Sequence, residues 1–359
     1  MNDFQRNLWS LGTLCMERAL LRREKVNQQQ DPTGRGRARR TSSGQYLAEP
    51  MAQRLTGPRS LAELDEMFPD EIDCREYLAA IRWRRGFVCP HCGDDPQAQC
   101  SDRGLWRCPT CDTVCSPVTG TMLDWSRLPL RTWYRAIWEV LATNGGAEPE
   151  RVADALGVRR PDFVWRWLGQ LRAIMVAASA VPLVGVVEVA KVPIELELPV
   201  SRHRLTTGHR IVAVAAEARG AELGRVRVQR LQRVDAAAMS RFVTGAIGPG
   251  STLRTGRWSG YRRLRAHGYG HIVACGSDEL YEGRMKCVQL LSSALQMWLR
   301  RVPARCLDHV DYYLDELVFR LNEQVVCSPA DRGARFRRIL QVAATTPRQA
   351  APALARQAG

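Results

Sequence analysis

The sequence predicts an α/β protein in three parts: a cysteine-paired N-terminal module, a helical middle and a C-terminal domain built on a sheet. Three observations carry that expectation. Cysteines fall in two CxxC pairs, Cys89/Cys92 and Cys108/Cys111. The middle of the chain repeats apolar residues at helical spacing, with Leu130, Trp133, Ala136, Ile137 and Val140 on one face. From Leu183 the pattern changes to LVGVVEVAK, small and β-branched residues around one acid, Glu188, as in a buried first strand.

Length and charge set the frame. A chain of 359 residues is long enough for two or three domains with a large core. No apolar run reaches the length of a membrane span, and the N-terminus lacks the layout of a secretion signal, so a cytoplasmic, bacterial-type protein without membrane contact is expected. The net charge of +15 and pI near 9.7 favour a polyanionic partner, because neutralising phosphates releases counterions. Residues 1–60 hold eleven Arg/Lys against five Asp/Glu, so the surplus is shared with the rest of the chain. Twelve cysteines, of which four form the CxxC pairs, point to metal binding in a reducing compartment rather than to disulfides.

The first segment, 1–60, divides into a short amphipathic helix from Met1 to about Leu21 and the polar, basic tract QQQDPTGRGRARRTSSG. It reads either as an arm tracking DNA phosphates or as a disordered tail. A third reading is upstream sequence preceding a start at Met51. Basic tails specify little, so the tail reading is preferred to the arm.

Residues 61–125 form the cysteine module. The knuckles CPHCG and CPTC, fifteen residues apart, bring Cys89, Cys92, Cys108 and Cys111 together as four thiolates, the closed geometry of structural zinc. A redox role is disfavoured, because redox CxxC motifs come singly on a thioredoxin-like unit. His91 is expected at the surface, and Cys74, Cys100 and Cys115 as small apolar fillers. Arg82, Arg84, Arg85 and Arg107 surround the ribbon as candidate contacts to double-stranded DNA; a purely structural ribbon is the alternative.

Residues 126–182 are helical. LPLRTWYRAIWEVLAT ends at NGG, and EPERVADALGVRRPDFVWRWLGQLRAIM reads as two helices around a GVRRP turn. In a helix-turn-helix, Arg159 and Arg160 at the start of the second helix would approach the major groove. A plain helical hairpin fits the local pattern equally well.

The order RW..GFVCPHCG, C..C, Gly120–Met122, LPL..W, a helix pair, LVGVVEV, VAVAAE, RTGRWSGY, HGYGH and YYLDELVFRLN resembles the zinc-ribbon insertion-sequence transposases of the ISXO type. The resemblance runs from about Ala62 to Arg337. It implies a ribonuclease-H-like mixed-sheet domain over 183–340 and a tail over 341–359, with YYLDELVFRLN as the last helix. It also implies a homodimer, DNA as partner with nucleoid association when DNA is bound, and two Mg²⁺ ions on carboxylates for strand cleavage and transfer.

Residue by residue, this chain departs from that pattern. The metal-binding aspartate of the family's first strand falls on Ala190, followed by Lys191 where the family has an acid. The second falls on Gly256, next to Arg257. The third helix, anchored by Trp298 and Leu299, presents Ala294 and Gln296. The resemblance therefore implies a transposase-family DNA-binding protein without catalysis, its emptied pocket flanked by Lys191 and Arg257. The alternative is an active enzyme with a divergent site, needing Mg²⁺ and drawing on Glu188, Asp315 or Glu316. Glu188 matches a glutamate of the family itself and is better read as structural, and His271 as a packed side chain.

Overall fold

The computed structural model describes residues 56–347 except 96–97, 125, 127, 144, 202–203, 221, 275–284, 303–308 and 327–330. The chain divides into two compact units at Ala48/Glu49, and every described residue belongs to the second. The expected N-terminal helix and basic tract lie outside the described residues.

Two capped helices come first. In α1 (Leu61–Met67) the Ser60 side chain accepts from the Glu63 amide, and in α2 (Glu71–Arg82) Asp70 accepts from Ile72 and Asp73. Their buried residues Leu64, Phe68, Cys74, Leu78 and Ile81 join the core of α3 (Leu130–Ala142), whose inward face is the one its spacing predicts. Residues 61–82 therefore bury their apolar side chains with the helical middle, while Arg75 of α2 reaches the ribbon, its Nη1 donating to Arg103 O (2.9 Å). Glu71 ties them together by accepting from the Leu130 and Arg131 amides at the start of α3, where Pro129 offers no side-chain cap. Helix α4 (Pro149–Leu156) ends on Gly157 at φ 66°, and α5 (Pro161–Ala178) follows after three residues.

The ribbon itself is a small antiparallel sheet of β1 (Gln99–Cys100), β2 (Trp106–Arg107) and β3 (Val114–Cys115).

The C-terminal domain is a five-stranded mixed sheet. Its strands are β4 (Val186–Ser201), β5 (Arg204–Arg219), β6 (Glu222–Leu231), β7 (Thr252–Thr255) and β8 (Gly270–Val273), in the order β6-β5-β4-β7-β8. The first three form an antiparallel meander; β7 runs parallel to β4, and β8 to β7. This is the sheet expected of a ribonuclease-H-like domain. One face, with Val187, Val189, Ala213 and Ala215, is covered by α6 (Ala236–Ala246) and a 3-10 helix (Ser259–His267). On the other, Ala190, Val192, Val212, Val214 and Val226 meet α7 (Lys286–Leu299) and α8 (Val310–Val326) in one core continuous with the helical middle.

Strand β4 is much longer than the tract LVGVVEVAK. The apolar alternation continues through Val192, Ile194 and Leu196, all buried. Pairing to β7 stops at Val189, so Pro193 sits where β4 has an open edge and its missing N–H costs no ladder bond.

The helical core extends past 340, and residues 348–359 of the expected tail lie outside the described residues. Helix α9 (Arg332–Thr345) buries Phe336, Ile339, Leu340, Val342, Ala343 and Ala344 against α2, α3 and α5. Among the described residues YYLDELVFRLN is thus the penultimate helix. The Met122 amide donates to Thr346 O (3.2 Å), which assigns the Gly120–Met122 tract to holding the end of α9.

Candidate functional site

The ribbon cysteines meet as their spacing requires. Sγ of Cys89 lies 3.7 Å from Cys111, Sγ of Cys92 lies 3.8 Å from Cys108, and all four lie within 4.8 Å of one another. A zinc ion with Zn–S bonds of about 2.3 Å gives a tetrahedron edge of about 3.8 Å, so the donor set fits zinc. The knuckles are closed by backbone bonds: Gly93 N to Cys89 O, Cys89 N to Asp94 O and Cys108 N to Thr113 O, at 2.8–3.0 Å. Gly93, at φ 79°, supplies the left-handed turn of the first. The Thr113 hydroxyl and amide hold the Cys111 thiol down to about 6, favouring the thiolate that a metal needs. Behind the cysteines Phe87 stacks on Trp106 (centroids 5.7 Å apart), with Trp83 edge-on to both. His91 is exposed, and Cys74 and Cys115 are buried.

The candidate DNA-contacting arginines separate into two kinds. Arg84, Arg85 and Arg107 are exposed on the ribbon, Arg107 within 3.1 Å of Asp112. Arg82 is different. Its Nη1 donates to Pro117 O (2.9 Å), its guanidinium lies 5.2 Å from the Trp83 ring, and burial pulls its pKa down. It ties the end of α2 to the segment after the ribbon and is half-buried, unlike the other three. Arg159 and Arg160 are both exposed in the turn between α4 and α5, with Arg160 in the N-cap position. Val152, Leu156, Val164 and Leu168 bury the inner sides of this helix pair, and Trp167 meets Trp133 at 4.9 Å. Trp165 is half-buried and stacks on His309 at 3.6 Å.

At the sheet, Ala190 on β4 and Gly256 just beyond β7 come together through the pairing of Val189 with Thr255. Both are buried. A methyl group and a hydrogen offer no ligand, so the residues present do not fit a pair of Mg²⁺ ions. Glu188 faces the same side as Ala190, as strand alternation requires, but it is engaged. It accepts from Arg254 Nη1 (3.2 Å) and from the Val288 amide (3.0 Å) in the first turn of α7. Gln296, four residues beyond Ser292 on α7, donates to Pro193 O (3.1 Å), while Ala294 is half-buried on the same helix.

The remaining acidic candidates are committed elsewhere. Asp315 pairs with Arg172 of α5 at 2.6 Å, and burial, against the pull of that arginine, pushes its carboxyl up to about 6. Glu316 is fully buried and accepts from Arg320 and from the Ala147 amide (3.0 Å). Arg320 in turn donates to Val140 O and Thr143 O at the end of α3, and the Tyr313 hydroxyl donates to Ala147 O. Helix α8 therefore clamps the loop that ends α3. Nothing in the local pattern of YYLDELVFRLN shows this, because the partners lie about 170 residues upstream.

Lys191 does not flank Ala190. It points to the opposite face of β4, where its ammonium lies 4.8 Å from the centroid of the Trp258 ring. Arg257 is exposed. Ala190 is thus surrounded by core, not by a basic pocket. His271 is half-buried, 2.7 Å from the Thr255 hydroxyl through Nε2, and burial lowers its pKa.

A cysteine-ligated ribbon joined through a helical bundle to a ribonuclease-H-like sheet defines the class, a zinc-ribbon transposase architecture. Residues 69–114 match the transposase zinc-ribbon domain, and residues 182–322 match the ISXO2-like transposase domain. The chain belongs to this transposase family. It is also similar to an uncharacterised protein in the transposable element ISH50 of Halobacterium salinarum, 30% identical over 80 residues. That match spans 21% of this chain and 27% of the relative. No solved structure matches. Among the described residues no helix is long and apolar enough to cross a membrane.

Proposed function

We propose that this chain is a DNA-binding member of the transposase family that does not cut DNA. The observation that carries the reading is the composition of the sheet site: Ala190 and Gly256 stand where the family's metal-binding aspartates fall, and Glu188, Asp315 and Glu316 are each held by partners of their own. The exposed arginines Arg84, Arg85 and Arg107 on the ribbon, and Arg159 and Arg160 before α5, supply contacts to duplex phosphates and to the major groove. A homodimer, which the resemblance implies, would present two such sets.

The test is a binding and cleavage assay on element-end DNA with Mg²⁺ and Mn²⁺ over a salt series. Salt-dependent binding without strand cutting is expected. Metal-dependent cutting, abolished by Ala190→Lys in a variant that still folds, would establish the divergent enzyme instead. Binding that ignores salt would remove the DNA-binding reading.

A further inference from the structure

From Ala236 to Ser277 the chain carries six arginines and two histidines and no aspartate or glutamate. Of these arginines, Arg254 is drawn inward to Glu188. Arg257, Arg262, Arg263, Arg265 and His267 are all exposed, and none has a carboxylate partner among the described residues. Unpaired like charges gathered on one surface repel one another, and a polyanion relieves that repulsion while releasing its own counterions.

The geometry makes this a built surface. Arg262, Arg263, Arg265 and His267 lie on the 3-10 helix, whose buried Tyr261 and Leu264 fix it on the sheet. With three residues per turn, Arg262 and Arg265 form one ridge and Arg263 stands beside it. The entry to the helix is locked. The Trp258 indole lies so close over Gly260 that a Cβ there would come within 2.4 Å of the ring, and Trp258 meets Tyr261 edge-on at 5.1 Å. Lys191, seated on that same indole, adds a further cation beside Arg257. These groups belong to the sheet domain, and the 3-10 helix lies on the face covered by α6, opposite the one on which Ala190 is buried.

We infer that the 3-10 helix, with Arg257 and Lys191 at its start, is a second contact surface for the backbone of duplex DNA, working without a divalent metal. The inference rests on the DNA-binding reading and assigns part of that binding to the sheet domain.

The experiment uses the full zinc-loaded chain in Mg²⁺-free buffer, with a fluorescent random-sequence duplex followed by anisotropy over a KCl series. The variant R262Q/R263Q/R265Q is expected to weaken binding about tenfold or more, and to reduce the slope of log affinity against log salt by about 2 to 3, near 1 per lost phosphate contact. R262K/R263K/R265K keeps the charge and is expected to keep most of the affinity. A glutamine variant with the parent's affinity and slope overturns this inference and leaves the DNA-binding reading standing. A lysine variant as weak as the glutamine one overturns it as well, by showing a structural role. If the parent binds anionic vesicles and no duplex, both readings fall together.

Discussion

Single side chains in this protein show how an acidic residue can be kept for architecture. Glu316, fully buried, divides its carboxylate between Arg320 and the Ala147 amide, so its charge is matched where water cannot reach. Glu316→Ala leaves Arg320 buried without its counter-charge, and we expect a loss of roughly 3–5 kcal/mol in chemical denaturation. A change below about 1 kcal/mol would contradict the clamp. Glu188 plays the same part at the sheet. Glu188→Ala leaves the Val288 amide without an acceptor, with an expected cost of about 1–3 kcal/mol. Thermal unfolding of that variant should respond to Mn²⁺ no differently from the parent; a parent-only stabilisation by Mn²⁺ would mean that Glu188 is a ligand after all.

At the level of elements, the ribbon and the α3 loop are the sensitive joints. The ribbon has only two-residue strands and a small aromatic cluster, so its folding depends on the metal. Removing zinc with a chelator should unfold it, exposing Trp83 and Trp106, while far-ultraviolet dichroism retains most of the helix and sheet signal. Unchanged tryptophan emission after complete zinc removal would show a ribbon that stands alone. At the loop, Gly146 has φ 89°, and a Cβ there would lie 2.8 Å from the Tyr313 ring. Gly146→Ala combines backbone strain with overpacking and should cost about 1–3 kcal/mol, read as a lowered denaturation midpoint.

Across the whole molecule, the start, middle and end of the described chain share one core. Phe68 before α2, Tyr134 on α3 and Phe336 on α9 meet edge-on, at 4.8 Å and 5.4 Å. Phe336→Ala should therefore destabilise by roughly 3–5 kcal/mol and shift helix and sheet signals together. Separate transitions for the two would show that α9 does not couple them.

The sequence by itself determined the zinc ligands, the amphipathic face of α3, the α4–α5 pair and the first strand of the sheet. Each depends on near neighbours, through knuckle spacing, helical period or strand alternation. It also determined that Ala190 and Gly256 cannot ligate a metal, since that is a property of the side chains alone. Only the tertiary structure decided which way the remaining charges act. Arg82 turned inward to Pro117, Lys191 settled on Trp258 across the sheet from Ala190, Asp315 paired with Arg172 of α5, and Glu316 bonded to Arg320 and to the Ala147 amide in the loop after α3. Charge is written in the sequence, but the partner that satisfies a buried charge is chosen by packing between segments distant along the chain, because burial without a partner costs too much to persist.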